Sequence, residues 1–473
     1  MSDLEALMWT LEKDPHLSST FANVTIFDRP PDVARLRARM QRALHAVPRL
    51  RQRVVPSVAR LAPPEWRVDP GVDLDWHVRS IALPAPGTER QLFDLAAVLC
   101  AEPFDRARPL WRFTVIEGLE GGRAAMVQQI HHTITDGEGG VRMSVQFIDF
   151  ERDAPDPEPL PVPDPPAAAP DDQAPPSPGG SFVDDAADSL GHLLRRGLGM
   201  AQRTVTEAAG MARHPDRAVA LASGSGATVQ SLLRQAAVTD SAHSPLWTER
   251  SLGRRLDVLR VPLEEARKVA KDLDGSVNDL FVTAVAGGAG TYHRERGHDV
   301  EELRMAMPIS TRDTKSAGGN SFMPTRTIVS TVADPRARFA AVRDRLAVTK
   351  TERSLRFVQS VAGLTNLLPT SVLVRTARQQ VETVDFTTSN VRGAPFDLFI
   401  AGAHIDANYP LGPVAGTAFN ATTLSVAGSL DIGVHTDTAA VHDPAALRDA
   451  IQASFDELLA LGARPRRRSR PSG

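Results

Sequence analysis

The chain has 473 residues, 42% hydrophobic and 23% charged, with a formal net charge of −3 and a single cysteine. At roughly 150 residues per domain this is a globular chain of two or three domains; its 5% aromatic content and slightly acidic balance offer neither the stacking platform nor the phosphate-seeking charge of a nucleic-acid binder. Lone Cys100 excludes an internal disulfide, the acids of the opening MSDLEALMWTLEKD argue against a signal peptide, and no apolar run approaches the roughly 18 residues of a bilayer span, so a reducing cytosol is expected, with any membrane contact peripheral.

Residues 32–47 place Val33, Leu36, Met40, Leu44 and Val47 at helical steps behind Asp32, which predicts an amphipathic helix stopped by Pro48. Residues 115–117 and 124–132 read as strands joined through Gly121-Gly122, and 139–150 as the helix that follows. From 153 to 180 the composition turns to prolines and acids. That stretch is a linker biased to polyproline II. Next, Leu190, Leu194, Leu198, Ala201, Val205 and Ala208 form one stripe at helical period, with Arg195, Arg196, Arg203 and Arg213 off it. Such a helix either packs as a crossover on one of the domains or lies on anionic lipid. Farther on, 262–272, 279–296 and 339–351 read as helices and 303–309 as a strand. Strand signals at 396–402, 422–427 and 430–435 follow, with Ala427-Gly428-Ser429 turning the last two into a hairpin. A closing helix over 444–461 carries Ala446, Leu447, Ile451, Phe455 and Leu458 on one face. The result is two α/β lobes, 1–152 and 251–463, joined by a linker and crossover helix at 153–250 and trailed by a basic, solvated tail at 464–473.

The most informative residues are His131-His132-Thr133-Ile134-Thr135-Asp136-Gly137, where a strand gives way to a helix. Strand alternation puts the two histidines on opposite faces. Only one of them then faces a given pocket, and no third cysteine or histidine lies at metal spacing, so no metal is expected. A neutral histidine at a strand end is suited to take a proton from a hydroxyl nucleophile near neutral pH. Asp136 fixes the turn by accepting a hydrogen bond or pairing with an arginine, and Gly137 admits a ligand or backbone where a side chain would block it. No G-x-S-x-G run is present, which weakens a serine-hydrolase reading.

The pattern HHxxxDG is the signature of coenzyme-A-dependent acyltransferases of the chloramphenicol acetyltransferase type. Around it stand Trp9 in the opening segment, Arg108-Pro109-Leu110-Trp111, Asn278-Asp279 at a helix start, Met307-Pro308-Ile309-Ser310, Ser389-Asn390-Val391, Tyr409-Pro410-Leu411-Gly412-Pro413, and Leu430-Asp431-Ile432-Gly433 with Asp437. In that order, over nearly the whole chain, these blocks resemble the bacterial wax ester synthase/diacylglycerol acyltransferase family. One block departs from it: Ser389-Asn390-Val391-Arg392-Gly393-Ala394 lacks two prolines usual there, which bears on substrate preference.

The resemblance implies two chloramphenicol-acetyltransferase-like α/β lobes, each a mixed sheet with flanking helices, enclosing a tunnel. Acyl-CoA enters as co-substrate with no bound cofactor, and the acceptor is a diacylglycerol or fatty alcohol hydroxyl. It also implies His132 as the base, with His131 acting through packing and Asp136 as an orienting acid, for which Arg312 is the expected partner. Gly137, Asn278, Asp279, Ser389 and Asn390 are carried over as substrate-binding candidates; Asn278 is equally a helix N-cap and Asp279 suits the helix dipole. Asn278 and Ser389 are candidate oxyanion donors, and Pro109-Leu110-Trp111 is expected to shape packing. Two other readings are an acyltransferase for a small alcohol, an amine or a carrier-bound acyl group, and a non-catalytic acyl-CoA or lipid carrier.

Overall fold

A computed structural model describes residues 1–57, 63–155, 243–310, 322–351 and 370–463. Expectations for most of the 153–180 linker, the 190–208 stripe, Arg312 and the 464–473 tail lie outside the described residues.

The described residues form fourteen strands: β1 (Thr20–Phe27), β2 (Gln52–Val55), β3 (Glu65–Val68), β4 (Val78–Ala82), β5 (Trp111–Leu119), β6 (Arg123–His131), β7 (Arg254–Pro262), β8 (Glu302–Ser310), β9 (Phe322–Ser330), β10 (Phe386–Arg392), β11 (Phe399–Ile400), β12 (Ala403–Leu411), β13 (Phe419–Val426) and β14 (Ser429–Asp437). They form two six-stranded sheets, ordered β11-β12-β1-β6-β5-β4 and β7-β14-β13-β10-β8-β9, beside a β2-β3 ribbon. Both large sheets mix parallel and antiparallel pairs: β4-β5 is parallel in the first, and β10 is parallel to β8 and β13 in the second. The α/β, two-lobe expectation is met.

Local chemistry explains the helices that matter here. Asp32 caps Val33–Ala46 by accepting from the Arg35 amide at 3.0 Å, and Leu36, Met40, Ala43 and Leu44 turn inward. Helix Val277–Arg294 begins with a reciprocal capping box between Ser276 and Asp279. The N-cap is therefore Ser276, not Asn278, because the serine stands at the residue where the backbone is still extended. The helix after the histidines is Gly137–Ser144, shorter than the expected 139–150. The β13-β14 hairpin closes where expected, with Ala427 and Gly428 both at positive φ (41° and 84°), as a two-residue turn with this twist demands.

One segment crosses the lobe boundary drawn at 251. The strand expected at 396–402 is only the two-residue β11, ended by a turn at Ala401 and Gly402, and the chain then leaves its own half as β12 to pair antiparallel with β1 of the other sheet. That sheet is thus completed by residues some 380 positions downstream of β1. β12 is also fastened to the second sheet: the Asn408 amide donates to Asp431 at 2.7 Å, and Arg260 pairs with the same carboxylate at 3.1 Å. Gly433 makes that closeness feasible, since a Cβ there would collide with the Pro410 carbonyl. Arg90, on helix Glu89–Ala101, adds a second tie to Asp257 of β7 at 2.8 Å. The lobes are therefore joined across the space between them.

Candidate active site

The site grows from the end of β6. The His131 amide donates to Leu110 O and the His132 amide to Ser19 O, both at 3.0 Å, so neighbouring chain segments hold the two residues on either side. Asp136 then caps the next helix, accepting from the Gly139 amide at 2.8 Å. This cap is what turns the chain out of the sheet immediately after the histidines.

His131 is fully buried among polar partners. Its Nδ1 accepts from the Thr133 amide at 3.1 Å, so the ring proton sits on Nε2, which donates to Glu12 at 2.6 Å. Glu12 also accepts from Ser18 Oγ at 3.0 Å and the Ser19 amide at 3.3 Å. Burial raises the affinity of its carboxyl for a proton, but the hydrogen bond from His131, together with Ser18 and the charge of Arg106, outweighs that and holds it below the ordinary glutamate range. Every ring nitrogen of His131 is thus committed to holding the turn.

His132 faces the other way. Its ring lies 4.6 Å from that of Phe21 and borders a cavity of about 610 Å³ between the two sheets. Burial pushes its pKa down to about 4, against the opposing pull of Asp136 and of a hydrogen bond to the Thr135 backbone. The imidazole is accordingly neutral at physiological pH.

The other expected residues divide into two groups. Asp136, Gly137, Ser389 and Asn390 line the cavity with His132. Gly137 faces β10, where a Cβ would come within 2.9 Å of Val391 Cγ2, so the missing side chain brings this helix and the opposite lobe together. Asn278 and Asp279 do not line the cavity. Asn278 instead accepts from Asn390 Nδ2 at 3.2 Å, and Asp279 is spent on its cap. Leu110 and Trp111 sit in the core, the indole donating to Leu50 O at 2.8 Å. Cys100 lies off the cavity, and burial pushes its thiol up to about 12.

Neither Glu12 nor Phe21 is singled out by the sequence reading, and Val391 enters it only as part of its block, without a role of its own. The alternation of TFANVTIF carries a signal for Phe21, but its partner strands lie far off in the chain. Among the described residues, no group of three or more histidine, cysteine or acidic side chains is arranged to hold a metal ion.

Comparison with known proteins identifies the family and the fold. Residues 1–281 match the wax ester synthase/diacylglycerol acyltransferase catalytic domain and residues 320–459 the C-terminal domain of the same family. A putative diacylglycerol O-acyltransferase of Mycobacterium tuberculosis is 34% identical over 477 residues, covering 100% of this chain and 94% of its own length. A probable diacylglycerol O-acyltransferase of the same organism is 27% identical over 95% of this chain and 93% of its own. Among solved structures, a wax ester synthase/diacylglycerol acyltransferase from Marinobacter aquaeolei superposes with a TM-score of 0.62 at 19% identity, covering 98% of this chain and 99% of its own. A starter condensation domain of rhizomide synthetase, a variant in complex with C8-CoA and Leu-SNAC, gives 0.56 at 13% identity, covering 98% and 94%. Both structures share the two-lobed fold.

Proposed function

The chain belongs to the wax ester synthase/diacylglycerol acyltransferase family, and from that membership we propose that it moves an acyl group from acyl-CoA to the hydroxyl of a diacylglycerol or fatty alcohol, with His132 as general base. The observation that carries the assignment of the base is the placement of His132 on the wall of the cavity between the sheets, while its neighbour is buried behind it.

The acceptor hydroxyl donates to the neutral ring. As the proton moves to His132, the oxygen attacks the thioester carbonyl carbon, a C–O bond forms and the carbonyl electron pair moves onto oxygen. Its return breaks the C–S bond, and the imidazolium gives its proton to the departing thiolate, leaving ester and coenzyme A. A ring pushed down to about 4 is free of its proton in nearly every molecule at neutral pH, and its imidazolium is correspondingly ready to protonate the leaving group. Direct transfer fits the inert, off-site Cys100. A donor to the tetrahedral oxyanion is commonly worth about 3 kcal/mol, and we assign that role to Ser389, which lines the cavity where Asn278 does not.

The acceptors are lipids, and no described helix is long and apolar enough to cross a membrane. The cavity mouth carries Val145, Phe150 and Phe396, all more than half exposed, with the two phenyl rings 5.6 Å apart. This apolar rim supports peripheral docking on a membrane or lipid droplet as the route of entry. Replacing both phenylalanines by serine then weakens flotation with phosphatidylglycerol vesicles; unchanged flotation contradicts docking through the rim.

The function is tested by coenzyme A release from palmitoyl-CoA with hexadecanol or diolein. Acceptor-dependent release is expected. Release indifferent to acceptor, or its absence with both lipids, contradicts the reading.

A further inference from the structure

One wall of the cavity carries side chains that acyl transfer itself does not use. Positions 132, 130 and 128 of the β6 segment face the same side. Register sets Phe21 opposite Ile130, and Asn23 opposite both Gln128 and Pro410. Leading away from His132, the wall therefore passes an apolar step, Phe21 and Ile130, and reaches an amide step at Asn23 and Gln128. Asn408 comes next, paired in register with Thr25. The Thr25 hydroxyl accepts from Gln128 Nε2 at 3.0 Å and donates to Asn408 Oδ1 at 3.1 Å, fixing those two amides relative to each other. The amide of Asn23, half-buried and on the cavity surface, is hydrogen-bonded to none of the described residues.

A plain alkyl chain lying on this wall would strip water from the amides and return no hydrogen bond. An oxygen at the right distance reverses that penalty. We infer that this part of the cavity takes a chain bearing a hydroxyl or carbonyl remote from its reacting end, and that Asn23, Gln128 and Asn408 select such a chain over an unsubstituted one. The inference rests on the acyl-transfer reading above and specifies its substrate. Four residues of strand between positions 132 and 128 span about 13 Å. With C–C bonds near 1.5 Å, a zigzag chain covers that in on the order of ten carbons. The oxygen belongs either to the acyl group of the thioester or to a long-chain alcohol acceptor.

Four coenzyme A release assays on the full-length protein distinguish the two sources. One pair compares 12-hydroxyoctadecanoyl-CoA with octadecanoyl-CoA, using hexadecanol as the common acceptor. The other compares 1,12-octadecanediol with 1-octadecanol, using palmitoyl-CoA as the common donor. In one pair the oxygenated member is expected to lead in kcat/KM by about tenfold, the worth of one withheld buried hydrogen bond. In Asn23→Leu that ratio falls toward one. Gln128→Met, of similar length but without the amide, gives the same fall and serves in its place if the unfolding midpoint of Asn23→Leu drops. Equal rates within both pairs overturn the inference, as does a preference that both variants retain. An equal rise in KM for both CoA esters in Asn23→Leu assigns the amides to the pantetheine arm and overturns it too. Inactivity of the wild type on every combination overturns the acyl-transfer reading itself.

Discussion

Two sides of one strand end behave oppositely. Behind β6, His131 sits in a closed polar network in which Glu12, at the end of helix Asp3–Leu11, joins the entry to β1 to the turn after the histidines. In front, His132 meets only the edge of that order, beside Phe21 and open space. The same side chain, one residue apart, is structural where its nitrogens are consumed and chemical where one wall is a cavity. Rigidity on one face supplies position on the other, because Ser19, whose amide donates to Glu12, also offers the carbonyl that accepts from the His132 amide.

The contrast breaks most visibly at the base. His132→Ala is expected to lower turnover by about 10² to 10⁴ with the unfolding midpoint preserved, measured by coenzyme A release beside thermal denaturation; near-normal turnover by the folded variant removes the assignment. His131→Ala should do the reverse. It leaves the half-buried Glu12 carboxylate without its shortest partner, a loss of about 1–3 kcal/mol in stability, read by urea unfolding, with activity falling only as far as folding does. A full catalytic loss at unchanged stability would erase the distinction between the two faces.

Gly137→Ala tests the interface in front of the base. The added methyl meets Val391 at 2.9 Å, so the helix and β10 must part, and overpacking of this kind costs about 1–3 kcal/mol. KM for the lipid acceptor should rise more than kcat falls. Asp279→Asn gives the smallest effect. It weakens a capping box, about 1 kcal/mol, and leaves KM for both substrates unchanged; a raised KM would return Asp279 to the binding site.

These sites also mark what could be read without coordinates. Period two along a strand was enough to separate His131 from His132, and helical period with an acidic cap located Val33–Ala46. Both are local signals. The pairing of β12 with β1 is not, since nothing within the eight residues of β1 or the nine of β12 names a partner hundreds of positions away. The amide row of Asn23, Gln128 and Asn408 escaped for the same reason: three unrelated strands assemble it, and each contributes one unremarkable polar residue. Asn278 was misplaced as a cap by a subtler competition, because Ser276 two residues earlier is an equally good capping residue and stands where the backbone turns.

The most direct test of His132 as the base is the pH dependence of kcat/KM, measured on the wild type and on Glu12→Gln. The base must be unprotonated, so activity is lost as pH falls through its folded pKa; half-loss is expected near pH 4, unmoved in Glu12→Gln, since that carboxylate sits behind the strand. Half-loss near pH 6.5, the ordinary histidine value, or an acid limb that shifts when Glu12 is replaced, would contradict the account.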